Sequence, residues 1–360
     1  MVKKKTSGDQ KRIKSLLERL SNVHGISGYE KEIREIVGKE LKLYVDKVET
    51  DELGNLIATK KGGKPSIMIA AHMDEIGFMV KYIDKEGFVY FAKSGGWFDQ
   101  TLLNQRVFIH TKRGDILGVV GSKPPHMMRA EEAKKVIEID SMYIDIGAKD
   151  DKDARKIGVE IGDTITLDRK LESLPNKMVT GKALDNRAGL TIMIEAARIL
   201  SKMKIKPEVY FVGTVQEEIG LKGARTAAYS LNPSVAVAVD TTIPGDHPGV
   251  EKKNSSLEIG KGPVITVSDA EGRGIVVTES TLNWMKDSAK KGKIPYQLSV
   301  MEGGTTDAAA INLIRQGIPS GGISIATRYI HSPVEVLSLD DLQHCAKLIV
   351  ECVKSVGKYF

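Results

Sequence analysis

Apolar positions along the chain follow two spacings, and the changes between them mark three stretches. Ile13, Leu16, Leu17 and Leu20 recur at the three-and-four interval of one helical face. Ser27-Gly28-Tyr29-Glu30 has the form of a capping box and predicts a second helix carrying Ile33, Ile36, Val37 and Leu41. A hairpin is expected from Val48 through the Leu53-Gly54-Asn55 turn to Leu56 and Ile57. The unbroken apolar run Ile67-Met68-Ile69-Ala70-Ala71 predicts a strand covered on both faces, as in a parallel sheet.

From about Ile76 to about Leu174 the texture changes. Short β-like runs (Phe78 to Ile83, Phe88 to Ala92, Arg106 to His110, Ile116 to Val120) are separated by Gly-rich or charged turns. A short helix is expected near Arg129 to Val136, then strands around Met142 and Thr164. Short strands at this spacing predict a small β-barrel. After about Asn176 helices and strands alternate again: helix Asn186 to Leu200, strand Val209 to Val215, strand Val235 to Val239 and helix Leu282 to Lys290. Strand Tyr296 to Met301, helix Asp307 to Gln316 closed by Gly317, strand Gly322 to Ala326 and a last helix capped by Ser338 follow. The fold class is therefore α/β, a mostly parallel sheet flanked by helices, with a small β-barrel inserted. Residues 1–75 and 170–360 make one discontinuous domain, and 76–169 the insertion.

Length agrees, since 360 residues exceed what one compact core usually holds. A hydrophobic share of 41% beside 28% charged residues excludes a disordered chain. No apolar run approaches the ~20 residues that span a bilayer. Lys3, Lys4 and Lys5 lead into polar residues, not the apolar segment of a secretory signal, so a cytoplasmic protein is expected. Cys345 and Cys352 sit on one helical face and read as small core residues. The net charge of +6 comes from bases interleaved with acids, without a basic stripe carrying aromatics, so no nucleic-acid partner is expected.

Open α/β sheets bind ligands beyond the carboxyl ends of their strands. His72 and Asp74 follow the first apolar strand, Glu217 and Glu218 the second, Asp240 the third, and His331 the fourth after a short loop. Asp185 stands just before a helix, where an N-cap is its simplest role. Singly, each is an ordinary turn, cap or surface residue; together they bring imidazoles and carboxylates to one rim. That donor set suits zinc or another first-row divalent ion, and it is large enough for two ions sharing a carboxylate. Neighbours in an extended segment point apart, so Glu217 and Glu218 divide their work: one binds metal, the other serves as general base. Asp74 is placed to accept a hydrogen bond from His72 and fix its tautomer.

The segments Ala71-His72-Met73-Asp74-Glu75-Ile76-Gly77, Ala183-Leu184-Asp185-Asn186-Arg187, Val215-Gln216-Glu217-Glu218-Ile219-Gly220, Gly303-Gly304-Thr305-Thr306-Asp307-Ala308 and Arg328-Tyr329-Ile330-His331-Ser332 resemble the tetrahedral (TET) aminopeptidases, also described as deblocking or glutamyl aminopeptidases. The resemblance covers nearly the whole chain. It implies that His72, Asp185 and Asp240 hold one divalent metal and that Asp185, Glu218 and His331 hold a second. It further implies that Glu217 is the base, that Asp74 orients His72, and that Gly303 to Asp307 shape the cleft. Zinc is the expected metal, with cobalt and manganese as alternatives. Peptides with a free N-terminus are the implied substrates, and the insertion is the implied dimerisation domain of a homo-dodecamer. A related dipeptidase or deacetylase is the alternative. An endoglucanase fits less well, because only 5% of residues are aromatic and the histidines would have no role. His247, in the loop Thr241 to Val250, is expected to be a surface residue.

Overall fold

The apolar run that begins at Ile67 has both of its faces covered. In the computed structural model, which describes residues 8–131 and 134–360, Ile67, Ile69 and Ala71 join one core while Met68 and Ala70 join another. In chain order the elements are α1 (Gly8–Asn22), α2 (Lys31–Leu41), β1 (Lys47–Thr50), β2 (Leu56–Lys60) and β3 (Gly63–His72). The strands β4 (Gly77–Ile83), β5 (Val89–Ser94), β6 (Arg106–Thr111), β7 (Gly114–Gly121) and β8 (Tyr143–Asp145) follow, then α3 (Asp151–Ile157) and β9 (Thr164–Leu167). The rest comprises β10 (Glu172–Ser173), β11 (Met178–Gly181), α4 (Leu184–Leu200), β12 (Pro207–Thr214), α5 (Lys222–Leu231), β13 (Val235–Thr242) and β14 (Val264–Ser268). It continues through α6 (Glu279–Gly292), β15 (Gln297–Val300), α7 (Asp307–Asn312), β16 (Ser320–Ala326), β17 (Glu335–Ser338) and α8 (Leu339–Ser355).

Eight strands form the main sheet in the order β1-β2-β12-β3-β13-β16-β14-β15. The centre, β12-β3-β13-β16, is parallel; the β1–β2 hairpin joins antiparallel at one side and β14 antiparallel at the other. Residues of α1, α2, α4, α6 and α8 pack on one face, α5 and α7 on the other. Between β3 and β10 the chain closes a six-stranded antiparallel barrel, β4-β5-β8-β7-β6-β9, around Phe78, Phe91, Val107, Ile109, Ile144 and Ile165. The two cysteines are buried and unpaired on α8.

Several expectations need correction. The capping box does not form: Ser27 Oγ donates to Asp74 Oδ2 at 2.6 Å, and Glu30 accepts from the backbone of Gly28 and of Gln216. Asp74 draws Ser27 away from the helix start, and Gln216 shares Glu30 with Gly28. Helix α7 ends at Asn312, four residues early, because turning there buries Ile318 beside Ile311. The helix expected over Arg129 to Val136 includes residues 132 and 133, which lie outside the described residues, and turns occupy Ala130, Glu131 and Lys134 beside them. Asp240 lies inside β13, not beyond it. Unforeseen elements are α3, α5, β14 and the small sheet β10-β11-β17. Helix α5 escapes notice because Ala224, Ala227 and Ala228 supply its buried face, a weak apolar signal.

Trp284 of α6 is fully buried and donates to Cys352 O and Ser355 Oγ of α8. Trp284→Ala should therefore lower stability by about 3–5 kcal/mol, read from the denaturant midpoint.

Candidate active site

Parallel strands deliver their carboxyl ends to one rim, and that is where the chemically distinctive side chains meet. His72 is the last residue of β3, Asp240 lies near the end of β13, and Glu217 and Glu218 follow β12. His331 follows β16, and Asp185 opens α4. Asp185 does not cap its helix. Asn186 does so instead, accepting from Gly189 N at 2.9 Å through Oδ1 while its Nδ2 donates to Val239 O. The Asp185 carboxylate is thereby free to face the rim.

Its two oxygens point to different histidines. Oδ1 lies 3.2 Å from His72 Nε2 and Oδ2 lies 3.5 Å from His331 Nε2. Asp240 Oδ1 is 3.7 Å from His72 Nε2, and Glu218 Oε2 is 3.3 Å from His331 Nε2. Two clusters share Asp185, His72–Asp185–Asp240 and Asp185–Glu218–His331, each with its donor atoms within 4.8 Å of one another, as are those of His72, Glu217 and Glu218. Imidazole nitrogens and carboxylate oxygens without sulfur, arranged in this way, fit a divalent metal in each cluster. Glu217 Oε2 stands 4.0 Å from His72 Nε2, at the edge of the first cluster.

Asp74 lies beside His72, as expected, and has further partners. The Nδ1 of His72 meets the backbone carbonyl of Asp74 at 3.0 Å, while the Asp74 carboxylate lies at 3.5 Å. That carboxylate also accepts from Glu217 N at 3.0 Å, Glu218 N at 3.2 Å and Ser27 Oγ. Asp74 thus meets the imidazole through both its carbonyl and its carboxylate, and holds the Glu217–Glu218 segment through its side chain. Glu335, unnoticed in the sequence, does the equivalent for the second cluster: its buried carboxylate accepts from Asp185 N at 2.9 Å and His331 N at 3.0 Å. The signal available for Glu335 was a carboxylate four residues after a candidate ligand, which is weak.

Backbone strain gathers here as well. Ala183, Gln216, Leu221, Tyr329 and His331 all adopt left-handed φ between 55° and 60°, a conformation costing a non-glycine residue about 1–2 kcal/mol. Four of them lie within two residues of a rim residue or are one, so surrounding contacts must hold them there. The barrel also reaches the rim: a Cβ at Gly96 would lie 3.0 Å from His331 Nδ1. His247 takes no part, packing near Tyr329 with ring centroids 6.1 Å apart.

Charge in this confined space is unbalanced. Burial pushes Asp240 up to about 7 and drives Glu217 and Glu218 up too. Burial would also raise Asp185, but its bonds to His331 and His72 hold it below the usual carboxylate range. Burial pulls His331 down, yet the carboxylates of Asp185 and Glu218 outweigh that and raise it to about 11. The rim opens on a cavity of about 520 Å³ that also takes in Thr241, Ile243, Ser324 and the Gly303–Thr306 segment. Asp307 sits behind it, one carboxylate oxygen held by Thr214 Oγ1.

Without metal, Asp240 and His331 both favour their protonated forms. Their stabilising contribution is present in acid and lost as pH rises, from 3.8 through about 7 for Asp240 and from 6.5 through about 11 for His331. A divalent cation would replace those protons. Melting curves should therefore show the gap between zinc-loaded and chelator-treated protein widening as pH rises from about 6 to about 9, with proton release on zinc binding.

Comparison with known proteins gives the chain a family. The family model described as M42 glutamyl aminopeptidase matches residues 54–348. An aminopeptidase from the archaeon Desulfurococcus kamchatkensis is 41% identical, with a TM-score of 0.92 over 96% of this chain and 95% of its own. The lysyl aminopeptidase of Pyrococcus furiosus is 37% identical over 92% of this chain and 94% of its own. The TET1 peptidase of Pyrococcus horikoshii, described as assembling into a tetrahedron or a large octahedral shell, is 34% identical with a TM-score of 0.86, covering 95% of this chain and 99% of its own. With a metal-type rim at the strand ends and a family match across most of its length, the chain belongs to the M42 peptidase family and is a metal-dependent aminopeptidase.

Proposed function

We propose that the protein removes N-terminal residues from peptides at a dinuclear centre, with His72, Asp185 and Asp240 holding one divalent metal and Asp185, Glu218 and His331 the other. The observation that carries this reading is the two-sided Asp185 carboxylate, one oxygen toward each histidine. Zinc fits the donor set, as do cobalt and manganese. When bound, such ions supply Lewis-acid polarisation of the scissile carbonyl and a more acidic water.

The chain's own groups do the rest. Glu217, beside the first cluster and raised by burial, takes a proton from the attacking water and passes it to the leaving amine. Asp74 fixes where that carboxylate sits by holding the backbone N–H groups of Glu217 and Glu218. The substrate's free ammonium is attracted by the excess of rim carboxylates, which favours exopeptidase action over internal cleavage. Glu335 maintains the spacing of Asp185 and His331.

The barrel, within residues 76–169, serves as the dimerisation domain of a larger homo-oligomer, of the kind described for the Pyrococcus horikoshii relative. Its exposed Leu117 and Val119, alternate residues on one face of β7, support an interface there. No helix among the described residues is long and apolar enough to cross a membrane, and the cytoplasm is the proposed compartment.

Glu217→Gln should keep both metals, counted by elemental analysis, while turnover of an aminoacyl anilide falls about 10²–10⁴-fold; full activity would remove Glu217 as the base. Leu117→Asp combined with Val119→Asp should shift the assembly toward smaller species by light scattering, and an unchanged mass would place the interface elsewhere.

A further inference from the structure

The aminopeptidase reading leaves the preferred N-terminal residue open, and the cavity wall beyond the rim bears on it. Past β16 the cavity continues toward the sheet edge, where Thr266, Asp269, Ser299 and Met301 come from β14, β15 and the residues directly after them. Strand β14 lies two positions from β13, or about 10 Å at ordinary strand spacing. This wall is within side-chain reach of a peptide anchored by its amine and first carbonyl at the rim.

The wall is unusual in its charge. Among the described residues lining the cavity, no lysine or arginine occurs, and outside the rim cluster Asp269 is the ionisable group. Arg225 and Arg273 line a separate neighbouring groove, where Arg273 pairs with Glu271. Asp269 is 6% exposed. Its Oδ1 accepts from Ile275 N at 2.6 Å, and its backbone N–H donates to Ile275 O. The loop between them closes tightly on the carboxylate: a Cβ at Gly274 would lie 2.0 Å from Oδ1. No hydrogen bond from the described residues reaches Oδ2. Burial raises Asp269, with only the Ile275 N–H opposing it and no cation nearby. A carboxylate fixed in a cavity wall without a counter-cation is stabilised by any cation brought within reach.

Resting on the aminopeptidase reading, we infer that Asp269 is a specificity-determining residue, which pairs with the side-chain cation of an N-terminal lysine or arginine and repels acidic residues. A neutral residue gains the hydroxyl and methyl contacts of Thr266, Ser299 and Met301 but not the ion pair. An N-terminal glutamate meets like charge with no basic group to receive it.

The test is the wild-type protein, loaded with zinc or cobalt, on lysyl, arginyl, leucyl and glutamyl anilides, beside Asp269→Asn. Asparagine keeps the acceptor for Ile275 N and changes little besides charge. Wild type should rank lysyl and arginyl above leucyl, with glutamyl last. Asp269→Asn should lower the lysyl-to-leucyl ratio of kcat/KM about tenfold or more, because a buried charge partner is lost for one substrate only. A purely structural role would depress both substrates together and leave the ratio in place. Glutamyl turnover equal to lysyl in wild type, or an unchanged ratio in the variant, would overturn the inference. Metal-loaded protein that cleaves none of the four would overturn the proposed mechanism, and the inference with it.

Discussion

The structure depends on how one carboxylate is presented. Asp185 aims one oxygen at a histidine from the first third of the chain and the other at a histidine from its last tenth. Those residues can meet only if β3, β13 and β16 are adjacent and end together, and only if α4 starts behind them. Gathering Asp185, Glu217, Glu218 and Asp240 in a largely buried rim is electrostatically unfavourable in itself. Protons on the histidines and on Asp240 relieve part of that, and divalent cations would relieve more. The same unfavourable concentration that costs stability without metal creates the affinity for one.

Holding such a rim takes a rigid surround, and much of it is polar. Behind His72, Glu75 accepts from both Lys182 and the backbone of Gly25, with the Arg187 guanidinium 3.5 Å away. Arg187 is fully buried and donates to Leu20 O and Val23 O, where the carbonyls at the end of α1 favour a cation. This cluster ties the N-terminal helices, the end of β3 and the start of α4 into one block. Asp74 and Glu335 then transmit that rigidity to the backbone of the rim residues. The left-handed residues around the site are tolerated because these contacts leave the chain no relaxed alternative.

The barrel is coupled to the same block. It begins five residues after His72 and returns through β9 to β4 before the chain re-enters the α/β core. The loop after β5 brings Gly95 against Ile76 and Glu218, and Gly96 against His331. A side chain at position 96 would crowd the imidazole, and His331 would have to give by a few tenths of an ångström. An element proposed to join subunits therefore also forms part of the wall beside the second cluster.

Much of this was legible in the chain. The run Ile67–Ala71 announced a strand covered on both faces, the short runs after Ile76 announced the barrel, and strand-end positions singled out His72, Glu217, Glu218, Asp240 and His331. Period and position sufficed there because burial on two faces and the carboxyl-end rule are local consequences of strand geometry. What sequence could not decide were pairings between distant polar groups. Ser27 left its capping box for Asp74, Asp74 added its carbonyl to its carboxylate beside His72, and Glu335 went unseen. Taken singly Asp185 read as a cap, a role that Asn186 fills. Residue type and spacing determine which side chains can reach the rim, since they follow from the backbone's own repeat. Which partner each polar atom takes depends on distances across the packed sheet, helices and barrel, and only the tertiary structure decided those.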